Sequence, residues 1–168
     1  AVGNLVRKEK INKDNFLIRY IGSFKHEVLR NIIKRNGLEG SVETISYMEH
    51  DECLKNMVAS DAMLLIEGGR PGSEAFYTGK IFEYIQTGNP ILAVIPENGA
   101  AAMLIRETRT GIICDWSDIE AIERGFLDMY RSWEKNERII DPNHEEIARY
   151  DRKALTRSLA ELFNKSLN

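Results

Sequence analysis

Short apolar runs rich in β-branched residues alternate along this chain with segments whose apolar positions keep helical spacing. Residues 16–22 are β-rich and close on Gly22, which predicts a strand. Leu29, Ile32 and Ile33 then share a helical face, and Gly37 supplies a stop. Residues 42–47 alternate as a half-buried strand does. Asp51 is placed to cap a helix carrying Cys53, Leu54, Met57 and Val58. The run Ala62-Met63-Leu64-Leu65-Ile66 is apolar throughout and predicts a fully buried strand.

The pattern then breaks. Residues 67–79 are rich in Gly and polar groups, a long connection where about 4–6 residues is the usual median. Long loops of this kind are often functional. Residues 80–87 follow as a helix with Ile81, Tyr84 and Ile85 on one face. Gly88-Asn89-Pro90 ends it and feeds a strand over 91–95, closed by Pro96. A short helix is expected over 100–107 and a strand over 111–114. Asp115 or Ser117 is placed to cap a helix running to about Trp133, and a helical tail is expected over 144–167. Five strands alternating with helices predict an α/β fold, a parallel sheet of about five strands with helices on both faces. Ligands of such sheets bind beyond the carboxyl ends of the strands, the edge from which the loop 67–79 departs.

Composition narrows the function classes. A chain of 168 residues with 43% hydrophobic content suits a single domain over 1–168 with a real core. The formal net charge of -3 carries no basic field, so no nucleic-acid partner is expected. Cys53 and Cys114 are too few and too far apart for a disulfide framework or a zinc site, and predict small buried hydrophobes in a reducing, cytoplasmic compartment. No apolar run approaches the ~20 residues that span a membrane.

The chemistry concentrates at Thr78-Gly79-Lys80-Ile81-Phe82-Glu83-Tyr84. A helix start exposes unpaired backbone N–H groups and the positive end of the dipole. Gly79 allows close approach of a ligand to the backbone. Thr78 offers a hydroxyl donor and Lys80 a positive charge, a combination suited to a pyrophosphate. Glu83, one turn on, can accept two hydrogen bonds from a ribose diol. The competing reading makes Lys80 and Glu83 an exposed ion pair at i,i+3.

The block 78–93, which continues through Tyr84-Ile85-Gln86-Thr87-Gly88-Asn89-Pro90-Ile91-Leu92-Ala93, resembles the signature of family 4 (group 1) glycosyltransferases. It matches the branch reading roughly S/T-G-K-x-F-E-Y-L-x-x-G-x-P-I-L. Flanking stretches agree: residues 46–52, the strand entry Ala59-Ser60-Asp61-Ala62, and the runs 99–102 and 108–111. The resemblance implies a Rossmann-like domain, the nucleotide-sugar-binding half of a two-domain GT-B fold. It implies transfer of a sugar from a nucleotide-sugar to an acceptor glycan or lipid-linked sugar, with retention and without a metal or other cofactor. It places Glu83 on the ribose, Thr78, Gly79 and Lys80 by the diphosphate, and Tyr47 and Met48 against the base. Arg70, in the long loop, is a candidate for a phosphate or the acceptor. The whole enzyme would work in the cytoplasm, at the inner face of the membrane through peripheral association, as a monomer or a dimer.

Two departures from the family pattern stand out. An acidic residue usually lies eight positions before the second one, and here that position is Ala75, with Glu74 one residue away as a substitute catalytic group. The first strand of the domain, its glycine turn and the amino-terminal acceptor domain have no counterpart in 1–168. The chain is therefore expected to be a fragment, inactive alone, whose five strands either close into the order 2-1-3-4-5 or leave a gap for another chain. Two other functions share the architecture. A nucleotide-sugar 2-epimerase needs carboxylates and a His in the cleft, and a non-catalytic nucleotide-binding module needs neither. His26, His50 and His144 are scattered without metal-ligand spacing, and Trp116, Tyr130 and Trp133 read as packing anchors.

Overall fold

The computed structural model describes residues 1–23, 26–70, 72–76 and 78–166. It is an α/β structure. Its strands are β1 (Ile18–Ile21), β2 (Val42–Ile45), β3 (Met63–Ile66), β4 (Ile91–Val94) and β5 (Gly111–Cys114). Its helices are α1 (Val2–Arg7), α2 (His26–Arg35), α3 (His50–Val58), α4 (Lys80–Thr87), α5 (Ala100–Thr108), α6 (Ile119–Glu134), α7 (His144–Ala148) and α8 (Arg152–Ser166). All strand pairs are parallel, as alternation of strand and helix requires.

The strands do not form one sheet. β1 pairs with β2 from Ile18↔Val42 to Ile21↔Ile45, and β3, β4 and β5 form a second sheet in that order. Of the two expected arrangements, the closed order 2-1-3-4-5 is not formed: β1 and β3 share no ladder.

The core sits on the three-stranded sheet. One face packs Met63, Leu65, Ile91 and Ala93 against Ile81 and Ile85 of α4 and Ala101, Ala102, Leu104 and Ile105 of α5. The opposite face packs Leu92 and Cys114 under Met129 of α6. Helices thus cover both faces, but α6 lies over β4 and β5. β3 consequently departs from the fully buried strand its composition predicts. Met63 and Leu65 are buried, whereas Leu64 and Ile66 are 41% and 63% exposed. The run is apolar on both faces, and only one face is covered.

Several local expectations are corrected by cap geometry. Asp51 does not cap α3. The cap position is Glu49, and Asp51 lies in the first turn, where its charge still suits the helix dipole. Asp118, not Asp115 or Ser117, caps α6 by accepting from the Ala121 amide at 2.8 Å. Asp115 instead holds the Ser117 amide and hydroxyl in a turn, and those bonds keep its carboxyl below the usual range. The tail is two helices, broken around Arg149 and Tyr150, and Leu167 lies outside the described residues. Gly37 and Gly88 have positive φ of 68° and 76°, the left-handed geometry expected just past a helix.

Of the three aromatic anchors, Tyr130 is buried and touches Phe16 and Trp133, while Trp133 is half exposed. Trp116 is also half exposed. Its ring lies so close to Gly69 that any side chain there would overlap it. Cys114 is buried and burial raises its thiol pKa, whereas Cys53 is only partly buried.

Candidate functional site

A cavity of about 1370 Å³ opens beside β1 and β3 and runs to the carboxyl edge of both sheets. Its wall there is built from chain ends that the parallel topology brings together: Gly22 and Ser23 after β1, Ser46 and Tyr47 after β2, and Ile66 of β3. The lining also takes in Lys80, Glu83 and Tyr84 from the first turns of α4. Met48, His50 and Cys53 complete this end from the entry and first turns of α3.

The two helices meet for physical reasons. Ile81 and Ile85, four apart, are 0% and 1% exposed and fix the rotation of α4, which leaves Lys80 and Glu83 on the outer side. Gly88 ends the helix, and the Asn89 amide then donates to Ser60 O at 2.7 Å and Met57 O at 3.1 Å. That side chain ties the end of α3 to the end of α4, so residues 50–53 and 80–84 keep a fixed spacing.

The electrostatics of this end are distinctive. Neither Lys80 nor Glu83 forms an ion pair, with each other or with any other described residue. The exposed i,i+3 pair that competes with a ligand role is therefore not made. Burial pushes the Tyr84 phenol above its usual range, and the neighbouring Cys53 and Glu83 add to that shift. Tyr47 is 73% exposed, with its hydroxyl on Glu49 Oε1 at 3.1 Å, and Met48 accepts a contact from the Asn56 amide.

The start of α4 is organised differently from the open anion nest its sequence suggests. Glu67, the first residue after β3, accepts from the Thr78 amide at 2.8 Å. Thr78 Oγ1 accepts from the Lys80 amide at 3.2 Å, and the Ile81 and Phe82 amides bond the Thr78 and Gly79 carbonyls. Of the amides from Thr78 to Phe82, Gly79's alone has no protein acceptor among the described residues. Thr78 and Gly79 do not line the cavity. The Glu67 carboxylate thus takes the Thr78 amide ahead of the helix start. A lone acidic residue directly after an apolar strand was the signal available for it.

The remaining candidates fall elsewhere. Arg70 is exposed and does not line the cavity. Glu74 is exposed in a 3-10 turn over Ser73–Ala75, whose backbone packs against Gly99 at the start of α5. It is not brought to Lys80 and Glu83. Pro71 and Tyr77 of the long loop lie outside the described residues. His50 and His144 both line the cavity. Among the described residues, no three His, Cys, Asp or Glu side chains converge as metal ligands, and no helix is long and apolar enough to cross a membrane. Neither a family model nor a curated protein sequence matches this chain.

Proposed function

We propose that this chain is the nucleotide-sugar-binding domain of a glycosyltransferase of the two-domain GT-B kind. The observation that carries the reading is that two unneutralised charges, Lys80 and Glu83, line the same cavity as Tyr47 and Met48 at the carboxyl edge. A nucleoside diphosphate matches this spread of chemistry. Lys80 supplies positive charge for the diphosphate, and Glu83 accepts from the ribose hydroxyls one turn away. Tyr47 and Met48 offer a flat, polarisable surface for a base. In transfer, the charge that grows on the departing diphosphate is what Lys80 stabilises, and that group needs no general base in this domain. Acceptor recognition then belongs to residues outside 1–168. Peripheral attachment of the whole enzyme to the inner face of a membrane, and dimerisation, are parts of the same proposal.

Titration calorimetry of the chain with UDP, GDP and ADP tests it. One of the three is expected to bind, and Lys80→Ala and Glu83→Ala are each expected to weaken that binding at least about tenfold, or ~1.4 kcal/mol. Heats indistinguishable from dilution for all three nucleotides would remove the proposal.

A further inference from the structure

We propose that Asn56 and Arg19 are positioning residues of the cavity: they fix the Met48 thioether and so set how tightly the base of a nucleotide is held. This rests on the nucleotide-binding reading above, and adds to it two residues remote in sequence from the start of α4.

A methionine gives little shape by itself. Its side chain is unbranched and flexible, so an untethered thioether samples several positions, and Met48 belongs to the irregular stretch between β2 and α3. Here the sulfur is held. The Asn56 side-chain amide donates to Met48 Sδ at 3.3 Å and to the Glu52 carbonyl at 2.9 Å. Glu52 lies one turn before Asn56 in α3, and helical side chains lean toward the N-terminal end. The amide is thereby carried back along the helix to the turn that holds Met48.

The orientation of that amide is decided from outside the helix. Its oxygen accepts from Arg19 Nη1 at 2.7 Å, while Arg19 Nε donates to Glu43 Oε2 at 2.6 Å. Arg19 and Glu43 stand directly opposite in the β1–β2 ladder. A guanidinium only donates, so the amide turns its oxygen to Arg19 and keeps both N–H groups for Glu52 and Met48. One chain of contacts therefore runs from β2 through β1 and α3 to the sulfur.

A stability role does not account for this chain. The Arg19–Glu43 pair is 39% and 44% exposed, and exposed pairs contribute little. Nor is Arg19 a second cation for a diphosphate. It lines the cavity with Asn56 and Met48, but its charge is matched by Glu43. What the chain removes is the freedom of a thioether at a wall where a planar base would rest, and a surface ordered in advance costs less to bind.

The test is a double-mutant cycle read together with methionine methyl NMR. UDP, GDP and ADP are titrated into the wild-type chain, Asn56→Leu, Met48→Leu and the double variant. Asn56→Leu is expected to weaken the nucleotide that binds about threefold, the worth of one hydrogen bond. It is also expected to shift the Met48 methyl resonance, while those of Met63, Met103 and Met129 stay. In the Met48→Leu background the same substitution is expected to change affinity less than about 1.5-fold, because residues that act through one another are not additive. Arg19→Gln leaves Asn56 in place and is expected to give both changes in smaller measure, so it serves if Asn56→Leu does not fold. Provided nucleotide binds the wild type, the inference alone is overturned by a loss that persists without Met48, by an affinity that Asn56→Leu leaves unchanged, or by a stationary Met48 methyl. A wild-type chain that binds no nucleotide overturns the functional reading and this inference with it.

Discussion

Glu67 ends β3 with its carboxylate on the Thr78 amide, at the start of the helix that presents Lys80 and Glu83. An arriving diphosphate therefore meets a resident negative charge as well as Lys80. Replacing the carboxylate with an amide keeps an oxygen for Thr78 and removes the repulsion. Glu67→Gln is expected to tighten nucleotide diphosphate binding a few-fold, more at low salt than at high, because nearby charges are screened over about 10 Å at 0.1 M. Calorimetry at two ionic strengths measures this, and equal affinities in both proteins would show that Glu67 lies outside the ligand's field. The two cysteines make a second residue-level test. Cys53 is partly buried at the cavity wall, whereas Cys114 is buried and burial disfavours its thiolate. Iodoacetamide is expected to label Cys53 well before Cys114, and bound nucleotide to slow the labelling. Mass spectrometry after timed quenching reads both sites.

At the scale of elements, α1 is held to α6 by a polar clamp on an apolar seam. Leu5 and Ile11 pack with Tyr130, while Glu123 accepts from Lys8 Nζ at 2.9 Å and from the Asn4 amide. Those hydrogen bonds, Lys8's first, hold the Glu123 carboxyl below its usual range. A depressed folded-state pKa contributes stability above the unfolded value, about 4.3 for a Glu, and loses it as pH falls through the folded one. The midpoint of thermal unfolding is expected to drop below about pH 4, and Glu123→Gln to flatten part of that acid limb. A midpoint with the same acid slope in wild type and variant would remove the clamp from the account. How far elements are legible in sequence follows from the same kind of local detail. α4 and β4 stand where residues 80–94 predict them, because Ile81 and Ile85 set the period and Gly88-Asn89-Pro90 leaves no helical continuation. The caps of α3 and α6 differ from expectation because acidic residues cluster around each helix start, and only backbone geometry chooses among them.

For the molecule as a whole, the α/β class follows from alternation alone, but the division of the strands into two sheets does not. Composition marks Ala62 to Ile66 as a strand wanting cover on both faces. Only the pairing reveals that one edge of β3 and part of one face lack it. The site shows the same limit. Lys80, Glu83, Tyr47 and Met48 line one cavity, since parallel topology gathers loop residues at the carboxyl edge. Arg70 is a candidate through its place in a long loop and Glu74 through its offset from the family's acidic position, and neither signal says which way a loop turns. Glu67's role is not legible locally because its partner, Thr78, is eleven residues away.

That loop also passes under an indole. With Gly69 pressed on the Trp116 ring, the backbone after β3 forms one side of the chromophore's surroundings. The protein thereby contains its own optical reporter for movement of the backbone at Gly69. In a Trp133→Phe background, nucleotide is expected to shift the remaining emission if its arrival displaces Glu67 from Thr78. Stopped-flow emission would then give the rate of loop movement separately from the rate of binding.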